Sequence, residues 1–248
     1  MILLTGHLGY IGSNLLPKLG KGIIVADKKM GIDVSKDFYN KNRSQEFKLI
    51  YHLAAQTSVE NSFKDIITDI KDNIIATMEI AKFKSKIIFA STAAVYGDKY
   101  NAKETDELNP QSPYAIDKVV AEQIIIGSGN PYVILRIGNV YGKNDSKGVM
   151  VKLKEGGKIY GNGTHTRDYV HIDDVIKALL MAKNWKTGIY NIGTGIGISV
   201  NWIADMLKVE KVYADERIEQ KFISLDITKA LNAGWKPEHN LCQKSIPL

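Results

Sequence analysis

The sequence predicts an α/β protein built on a doubly wound parallel sheet, with a small lobe added at its C-terminal end. Three observations carry this expectation. Short, continuous apolar runs rich in Ile, Val and Leu recur through the chain, as strands covered on both faces require. Longer amphipathic segments separate them, in the places of crossover helices. A glycine-spaced turn, Gly6-His7-Leu8-Gly9-Tyr10-Ile11-Gly12, follows the first run at once and opens the first helical segment.

The expected strands are Ile2–Leu4, Ile23–Val25, Leu49–Leu53, Ile87–Ala90 and Tyr132–Leu135, each brief and bounded by Gly, Lys or Ser. Helices are expected around Ile11–Leu19, Ile66–Lys82 and Tyr114–Ile126. Ser112-Pro113 directly precedes the last, a natural helix start with proline in the first turn. From Val149 onward the pattern loosens, to one strand near Ile189–Ile192 and helices near Val200–Leu207 and Leu225–Ala233. No internal repeat, low-complexity tract or Pro/Gly-rich linker interrupts the chain.

Composition narrows the function classes. Of 248 residues, 44% are hydrophobic, ordinary for a globular protein and too many for a disordered one. The single cysteine, Cys242, excludes an internal disulfide framework. Met1-Ile2-Leu3-Leu4-Thr5-Gly6 lacks the basic start of a secretory signal, and no apolar run approaches the ~18–20 residues that span a bilayer. A soluble, cytoplasmic protein is expected. Lys and Arg number 33 against 27 Asp and Glu, a formal charge of +6. The lysines are scattered, which suits a solvated surface or a site for anionic ligands and disfavours nucleic-acid binding.

The glycine turn carries the first chemistry. Glycines at 6, 9 and 12 let the backbone turn sharply and approach a pyrophosphate, which then lies at the positive end of the helix that Tyr10 and Ile11 begin. Asp27 ends the second strand, near the ~20-residue spacing of an acid that bonds the adenosine ribose. A carboxylate there repels a 2′-phosphate and favours NAD over NADP, although Lys28 and Lys29 partly offset the repulsion. The spacing GxxGxxG, rather than GxGxxG, resembles that of the extended short-chain dehydrogenase/reductases, the group containing nucleotide-sugar epimerases and dehydratases. The resemblance extends over most of the chain. It implies a Rossmann domain of residues 1–142 plus about 165–195, and a substrate-binding lobe of about 143–164 plus 196–248.

Further cofactor contacts follow from the resemblance. Gly31-Ile32-Asp33-Val34 resembles the family's acidic turn after its third strand, where Asp33, beside Val34, would bind the adenine amine. His52-Leu53-Ala54-Ala55-Gln56 resembles the segment beside the cofactor, which makes Leu53, Ala54 and Ala55 candidates. Asn73 matches an asparagine of the family's central helix. Asp33 and Asn73 also read simply as a turn former and a polar helix residue.

The catalytic signal is Tyr114-Ala115-Ile116-Asp117-Lys118. An i, i+4 pair on a helix puts both side chains on one face. A phenol of ordinary pKa ~10 is a poor base at neutral pH, and a nearby ammonium favours its phenolate. Ser91-Thr92-Ala93-Ala94-Val95-Tyr96-Gly97 resembles the family's S-[ST]-x-x-V-Y-G motif, in which Thr92 joins Tyr114 and Lys118 in catalysis and Ser91 lines the cofactor. Family dehydratases carry Asp-Glu at the positions of Ala93-Ala94, and decarboxylases a glutamate at the second. Alanines supply neither acid nor base, which leaves oxidation and reduction at one carbon.

Leu135-Arg136-Ile137-Gly138-Asn139-Val140-Tyr141-Gly142 resembles the family segment after the next strand. There Asn139 would contact substrate, Gly138 would approach the nicotinamide, and Arg136 is as readily structural. Ile137 stands where the family has tyrosine. In the matching stretch Ile159–Val175, Arg167 is the candidate diphosphate clamp, since a guanidinium can bond two phosphate oxygens. Asp173 reads as a helix N-cap. His171 reads as structural, because no Cys/His cluster of metal-ligand spacing accompanies it; no metal is expected. Tyr190–Gly195 and Gly234–Pro237 suggest packing of the lobe.

The resemblance implies NAD-dependent epimerisation of a nucleotide sugar at C4 through a 4-keto intermediate. The alternatives are a nucleotide-sugar 4-reductase or other one-way modifier, and a non-catalytic cofactor-sensing or RNA-binding relative, against which the intact Thr92, Tyr114 and Lys118 argue. A homodimer is expected through the central and Tyr/Lys helices, with Ile66, Ile67, Ile70, Ile74, Val119, Ile124 and Ile125 facing either the partner or the sheet. The short loop before Leu49 and the brief C-terminal lobe depart from longer family members, so the base and sugar stay open.

Overall fold

The computed structural model describes residues 1–217 and 219–242. Ile218 and 243–248, which belong to the expected lobe, lie outside the described residues. The strands are β1 (Ile2–Thr5), β2 (Ile23–Ala26), β3 (Leu49–His52), β4 (Lys86–Thr92), β5 (Lys99–Ala102), β6 (Tyr132–Ile137), β7 (Asn139–Tyr141), β8 (Ile159–Tyr160), β9 (Thr166–His171), β10 (Gly188–Ile192), β11 (Gly197–Ser199), β12 (Tyr213–Ala214) and β13 (Ile223–Leu225). The helices are α1 (Tyr10–Leu15), α2 (Phe38–Asn42), α3 (Val59–Lys64), α4 (Ile66–Ile70), α5 (Ala76–Ala81), α6 (Pro113–Gly127), α7 (Val149–Lys154), α8 (Ile172–Ala182), α9 (Val200–Leu207) and α10 (Thr228–Asn232).

Six strands form the central sheet in the order β10-β6-β4-β3-β1-β2, every neighbouring pair parallel. The continuous apolar runs serve both faces, because successive side chains leave a strand on opposite sides. Leu4, Tyr51, Ile88 and Leu135 enter the core shared with Val175 and Leu179 of α8. Leu3, Ile50, Ile87, Phe89 and Ile134 enter the other, with Phe38, Ile80, Ala121 and Ile125. The chain moves from β1 outward to β2 and then returns to place β3 on the other side of β1. Strand order therefore reverses between β1 and β3, which opens a crevice at their carboxyl ends.

Helix α6 starts as its sequence predicts: the Ser112 hydroxyl accepts from Ala115 N at 3.2 Å and Pro113 fills the first turn. Other boundaries differ. The expected Ile11–Leu19 helix is α1 followed by a tighter turn at Leu16–Lys18, since Pro17 has no N–H to continue the ladder. The expected Ile66–Lys82 helix is α4, a π-turn at Lys71–Ile75, and α5. The expected Leu225–Ala233 helix shortens to α10, because Leu225 is buried in β13 against Ala102 of β5. The acidic turn at Gly31–Val34 follows β2 rather than a third strand, since only α2 separates it from β3. Asp173 is not the cap of α8: His171 is, its Nδ1 accepting from Asp173 N at 3.2 Å.

A separate core holds the C-terminal part. The sheet β11-β9-β7 packs Tyr141 and Tyr169 against Met150, Leu153, Ile198 and Ile203. Buried Asp168 ties this sheet to the β10 and β13 loops. Its carboxylate accepts from Thr194 N, Thr194 Oγ1, Gly195 N and Leu225 N at 2.7–3.1 Å. Trp235, fully buried, donates Nε1–H to Asp174 O at 3.0 Å and anchors the C-terminal segment on α8.

Among the described residues no helix is long and apolar enough to cross a membrane. The apolar surface of α3 to α6 is Phe63, Ile66, Ile67, Ile75, Met78, Ile116 and Val120. Of the aliphatic residues expected there, Ile125 instead enters the core and Val119 packs under β13.

Candidate active site

The crevice between β1 and β3 is built from their last residues. Thr5 is fully buried, and its hydroxyl accepts from Leu53 N at 3.2 Å and Ala54 N at 3.1 Å. The Thr5 hydroxyl proton then goes to His52 Nδ1 at 2.8 Å, which leaves Nε2–H to meet Thr77 Oγ1 at 3.0 Å. Thr77 in turn donates to Asn73 O at 2.6 Å. Burial, and secondarily the charge of Lys118, push the His52 imidazole down to about 3, so it stays neutral. One relay thus fixes the glycine turn, the Leu53–Ala55 segment and the central helix together.

The glycines divide their work. Gly6 has φ +73°, and a Cβ there would lie 2.6 Å from Ala54 N; one at Gly12 would lie 2.2 Å from Gly6 O. Both are demanded by close backbone packing. Gly9 is exposed, and its Cβ would meet only Gly6 O at 3.2 Å, so its bareness serves the open side of the turn. The Tyr10 and Ile11 amides have no partner among the described residues, as at any helix start. Asp27 accepts from Leu8 N and Lys29 N, both at 2.9 Å, bracing the turn from β2. Lys28 is held by Asp72 at 2.9 Å. Asp33 accepts from Ser35 N and Oγ; burial works against its charge, but these bonds with Lys28 and Lys36 hold its carboxyl below the usual range.

Two expected cofactor contacts are turned elsewhere. The Val34 side chain is buried in the core beside Phe38 and Ala26. Ser91 donates its hydroxyl to Glu122, which pairs with buried Arg136 at 2.7 Å, so both belong to a structural ion pair. Asn73 is buried, with Nδ2 on Asp69 at 3.0 Å and Oδ1 without a donor among the described residues. A bare glycine surface at the switch point, the braced Asp27 and this unpaired oxygen fit a dinucleotide.

A cleft of about 320 Å³ opens beside this crevice. Thr92, Tyr114, Gly138, Asn139 and Arg167 line it together, although β4, α6, the junction of β6 with β7, β7 itself and β9 supply them. Thr92 caps the short turn after β4, its hydroxyl accepting from Ala94 N at 3.2 Å. Ala94 also lines the cleft and brings no titratable group to it. Burial, with Asp69 adding, pushes the Tyr114 phenol up to about 12, while the Thr92 hydroxyl pulls the other way. Lys118 lies one turn on, buried, with Nζ on Ala90 O at 2.6 Å and 4.0 Å above the Phe89 ring. Burial pushes its ammonium down to about 7 against the pull of Glu122 and Asp69. Gly138 is required by packing: a Cβ there would lie 2.5 Å from Asp168 O.

Ser112 and Ala115 of the Tyr114 helix start also line the cleft, and Thr57, Val59, Gln111, Glu219 and Gln220, which complete the lining, escaped the sequence reading. Thr57 directly continues the Leu53–Gln56 segment, a signal that was available. Glu219 sits 3.4 Å from Arg167 and 3.5 Å from His165, contacts that no local spacing announces. Elsewhere, His171, Asp173 and His239 collect with ligand atoms within 4.8 Å of one another. The two imidazoles stack at 4.1 Å, and each Nδ1 is already engaged, on Asp173 N and Asp174 Oδ2.

Comparison with known proteins adds to this geometry. The family model described as the NAD-dependent epimerase/dehydratase family matches residues 2–193. The chain is 37% identical to a "Putative UDP-glucose 4-epimerase" of Methanocaldococcus jannaschii, covering 97% of this chain and 94% of that protein. The alignment runs over 289 positions, more than the 248 residues of this chain, so the relative carries insertions. Among solved structures, UDP-glucose 4-epimerase from Thermotoga maritima with UDP-glucose superposes with a TM-score of 0.86 at 31% identity, covering 97% and 94% of the two chains. The NAD complex of the Thermus thermophilus UDP-glucose 4-epimerase gives 0.86 at 27% identity over 97% and 94%. The chain belongs to the NAD-dependent epimerase/dehydratase family.

Proposed function

We propose that this chain is an NAD-dependent nucleotide-sugar 4-epimerase. The observation that carries the reading is the shared cleft wall of Thr92, Tyr114, Asn139 and Arg167 beside the glycine crevice, with Ala94 where elimination of water would need an acid or base. Gly6, Gly9 and Gly12, the Tyr10 and Ile11 amides, Asp27 and Asn73 would hold NAD. Bound there, NAD would supply the acceptor, and then the donor, of the hydride at the sugar C4.

The residues of the chain do the rest. Tyr114 takes the proton of the sugar 4-hydroxyl as C4 is oxidised, and Thr92 holds the reacting oxygen. Lys118, one helical turn away, favours the phenolate that Tyr114 must form. Arg167 clamps the diphosphate and Asn139 contacts the sugar side, so the 4-keto ring can turn about a fixed anchor. Tyr114 then gives its proton back as C4 is reduced on its other face, and no net redox change remains. The lobe around β7, β9 and β11 is the proposed substrate-binding lobe. The enzyme is proposed to be cytoplasmic and to dimerise through the apolar surface of α3 to α6.

Incubation with NAD and a panel of UDP-, GDP-, dTDP- and CDP-sugars, resolved by NMR, tests this. A 4-epimer should appear with no net NADH. Stoichiometric consumption of NADH with a keto sugar, and no epimerisation, would show a reductase instead.

A further inference from the structure

Asp117 lies inside the Tyr114–Lys118 segment, yet it faces away from the cleft. It is 6% exposed, and Asp69 of α4, opposite it, is fully buried. Asp69 Oδ1 accepts from Gln56 Nε2 at 2.7 Å and from Asn73 Nδ2 at 3.0 Å. Asp69 Oδ2 and Asp117 Oδ2 are buried and meet no donor among the described residues. The two carboxyl groups are nevertheless within hydrogen-bond reach of each other. Two buried carboxylates so placed repel, and each bare oxygen carries a desolvation cost. A single proton between them removes both penalties. Asp69, served by two N–H donors, keeps the negative charge; Asp117, which accepts from none of the described donors, keeps the proton.

We propose that in mildly acidic solution Asp117 is held as the neutral acid and donates to the Asp69 carboxylate, pinning α4 and, through Asp69, Asn73 of the π-turn to the Tyr114–Lys118 segment. While that proton is bound the pair sets one negative charge behind the phenol and the amine, and a second appears as the pH rises to neutral. These are positioning residues: neither lines the cleft. The surrounding charges are consistent with a shared proton. Asp72 of the π-turn adds repulsion at Asp69, though it is itself paired with Lys28. From α6, Tyr114 and Lys118 face Asp69, and Glu122 is committed to Arg136. From α3, Glu60 and Lys64 pair with each other at the surface. Burial first, and Asp69 second, push the Asp117 carboxyl up to about 6.

Protein labelled with ¹³C at aspartate carboxyls tests the pair by NMR titration. Besides buried Asp168, whose carboxyl burial also pushes up, one carboxyl should titrate about two units above the usual ~3.9, vanish in Asp117→Asn and return toward the ordinary range in Asp69→Asn. If that signal survives Asp117→Asn, or every aspartate other than Asp168 titrates below about 5, the pair is refuted. A raised acid stabilises the fold fully at pH below its unfolded value and loses that contribution as pH rises through about 6. The melting point of Asp117→Asn, whose amide still donates to Asp69, should therefore gain on wild type between pH 4 and 7. Asp117→Ala, with no donor, should melt lower than Asp117→Asn at every pH; equal melting would overturn the donor role. The influence on the phenol rests on the proposed function and is read separately. The acid limb of turnover should move to lower pH in Asp117→Asn, and an unmoved limb beside a confirmed pair would reject that influence alone.

Discussion

Replacing Gly9 and Gly12 by alanine separates packing from ligand contact at the glycine turn. At Gly12 the added methyl would lie 2.2 Å from Gly6 O and 2.7 Å from His7 Cα, more than an ångström inside ordinary contact at the nearer atom. Both obstacles are backbone, so relief requires α1 to shift on β1. Overpacking of this kind costs roughly 1–3 kcal/mol, which for a domain of this size lowers the melting point by about 2–12 °C. Gly9 is different. Its φ of −78° and ψ of 171° are open to alanine, and the one close neighbour sits at 3.2 Å. Gly9→Ala should therefore fold with a melting point within a few degrees of wild type, yet weaken NAD by at least about 10-fold, or ~1.4 kcal/mol, because the methyl occupies the approach to the helix start. Thermal melting and calorimetric titration with NAD measure the two quantities independently. Wild-type NAD affinity in Gly9→Ala, or wild-type melting in Gly12→Ala, would refute the assigned division of roles.

Four further outcomes are expected. Tyr114→Phe should keep NAD affinity and lose roughly 10²–10⁴-fold in turnover, the range for a general base, measured by NMR of the sugar products. Lys118→Met should move the acid limb of the pH–rate profile to higher pH, since removing the ammonium withdraws support from the phenolate; an unmoved limb would deny Lys118 its proposed part. Arg167→Ala should raise KM for the nucleotide sugar by about 10-fold or more while changing kcat less, as expected for a charged hydrogen bond of ~1.5–3 kcal/mol to a non-reacting group. Ile67→Asp, at a side chain 63% exposed on α4, should convert a dimer to monomer in light scattering without lowering the melting point of the monomer.

The sheet was legible because its residues obey a two-faced rule: Leu3-Leu4, Ile50-Tyr51 and Ile134-Leu135 each send neighbours to opposite cores. The cleft was legible where motifs are local, as with Thr92, Tyr114, Asn139 and Arg167. What stayed hidden depends on partners distant in sequence. Strand β9 reads Thr-Arg-Asp-Tyr-Val-His, and its Asp168 is fully buried where the loop after β10 and Leu225 of β13 bring N–H donors to it. Ser91 and Val34 sit in family motifs, but Glu122 and the Phe38 core claim their side chains. The π-turn at Lys71–Ile75 has no local sequence signature, yet Asn73, buried against Asp69, lies within it.

The central claim is that one hydride leaves C4 and returns to the same carbon on its other face. A nucleotide sugar deuterated at C4, incubated with the enzyme and NAD in ordinary water, measures this directly. The epimeric product should carry its deuterium at C4, with no NADH left in solution. Deuterium exchanged with water, or found in released NADH, would contradict it.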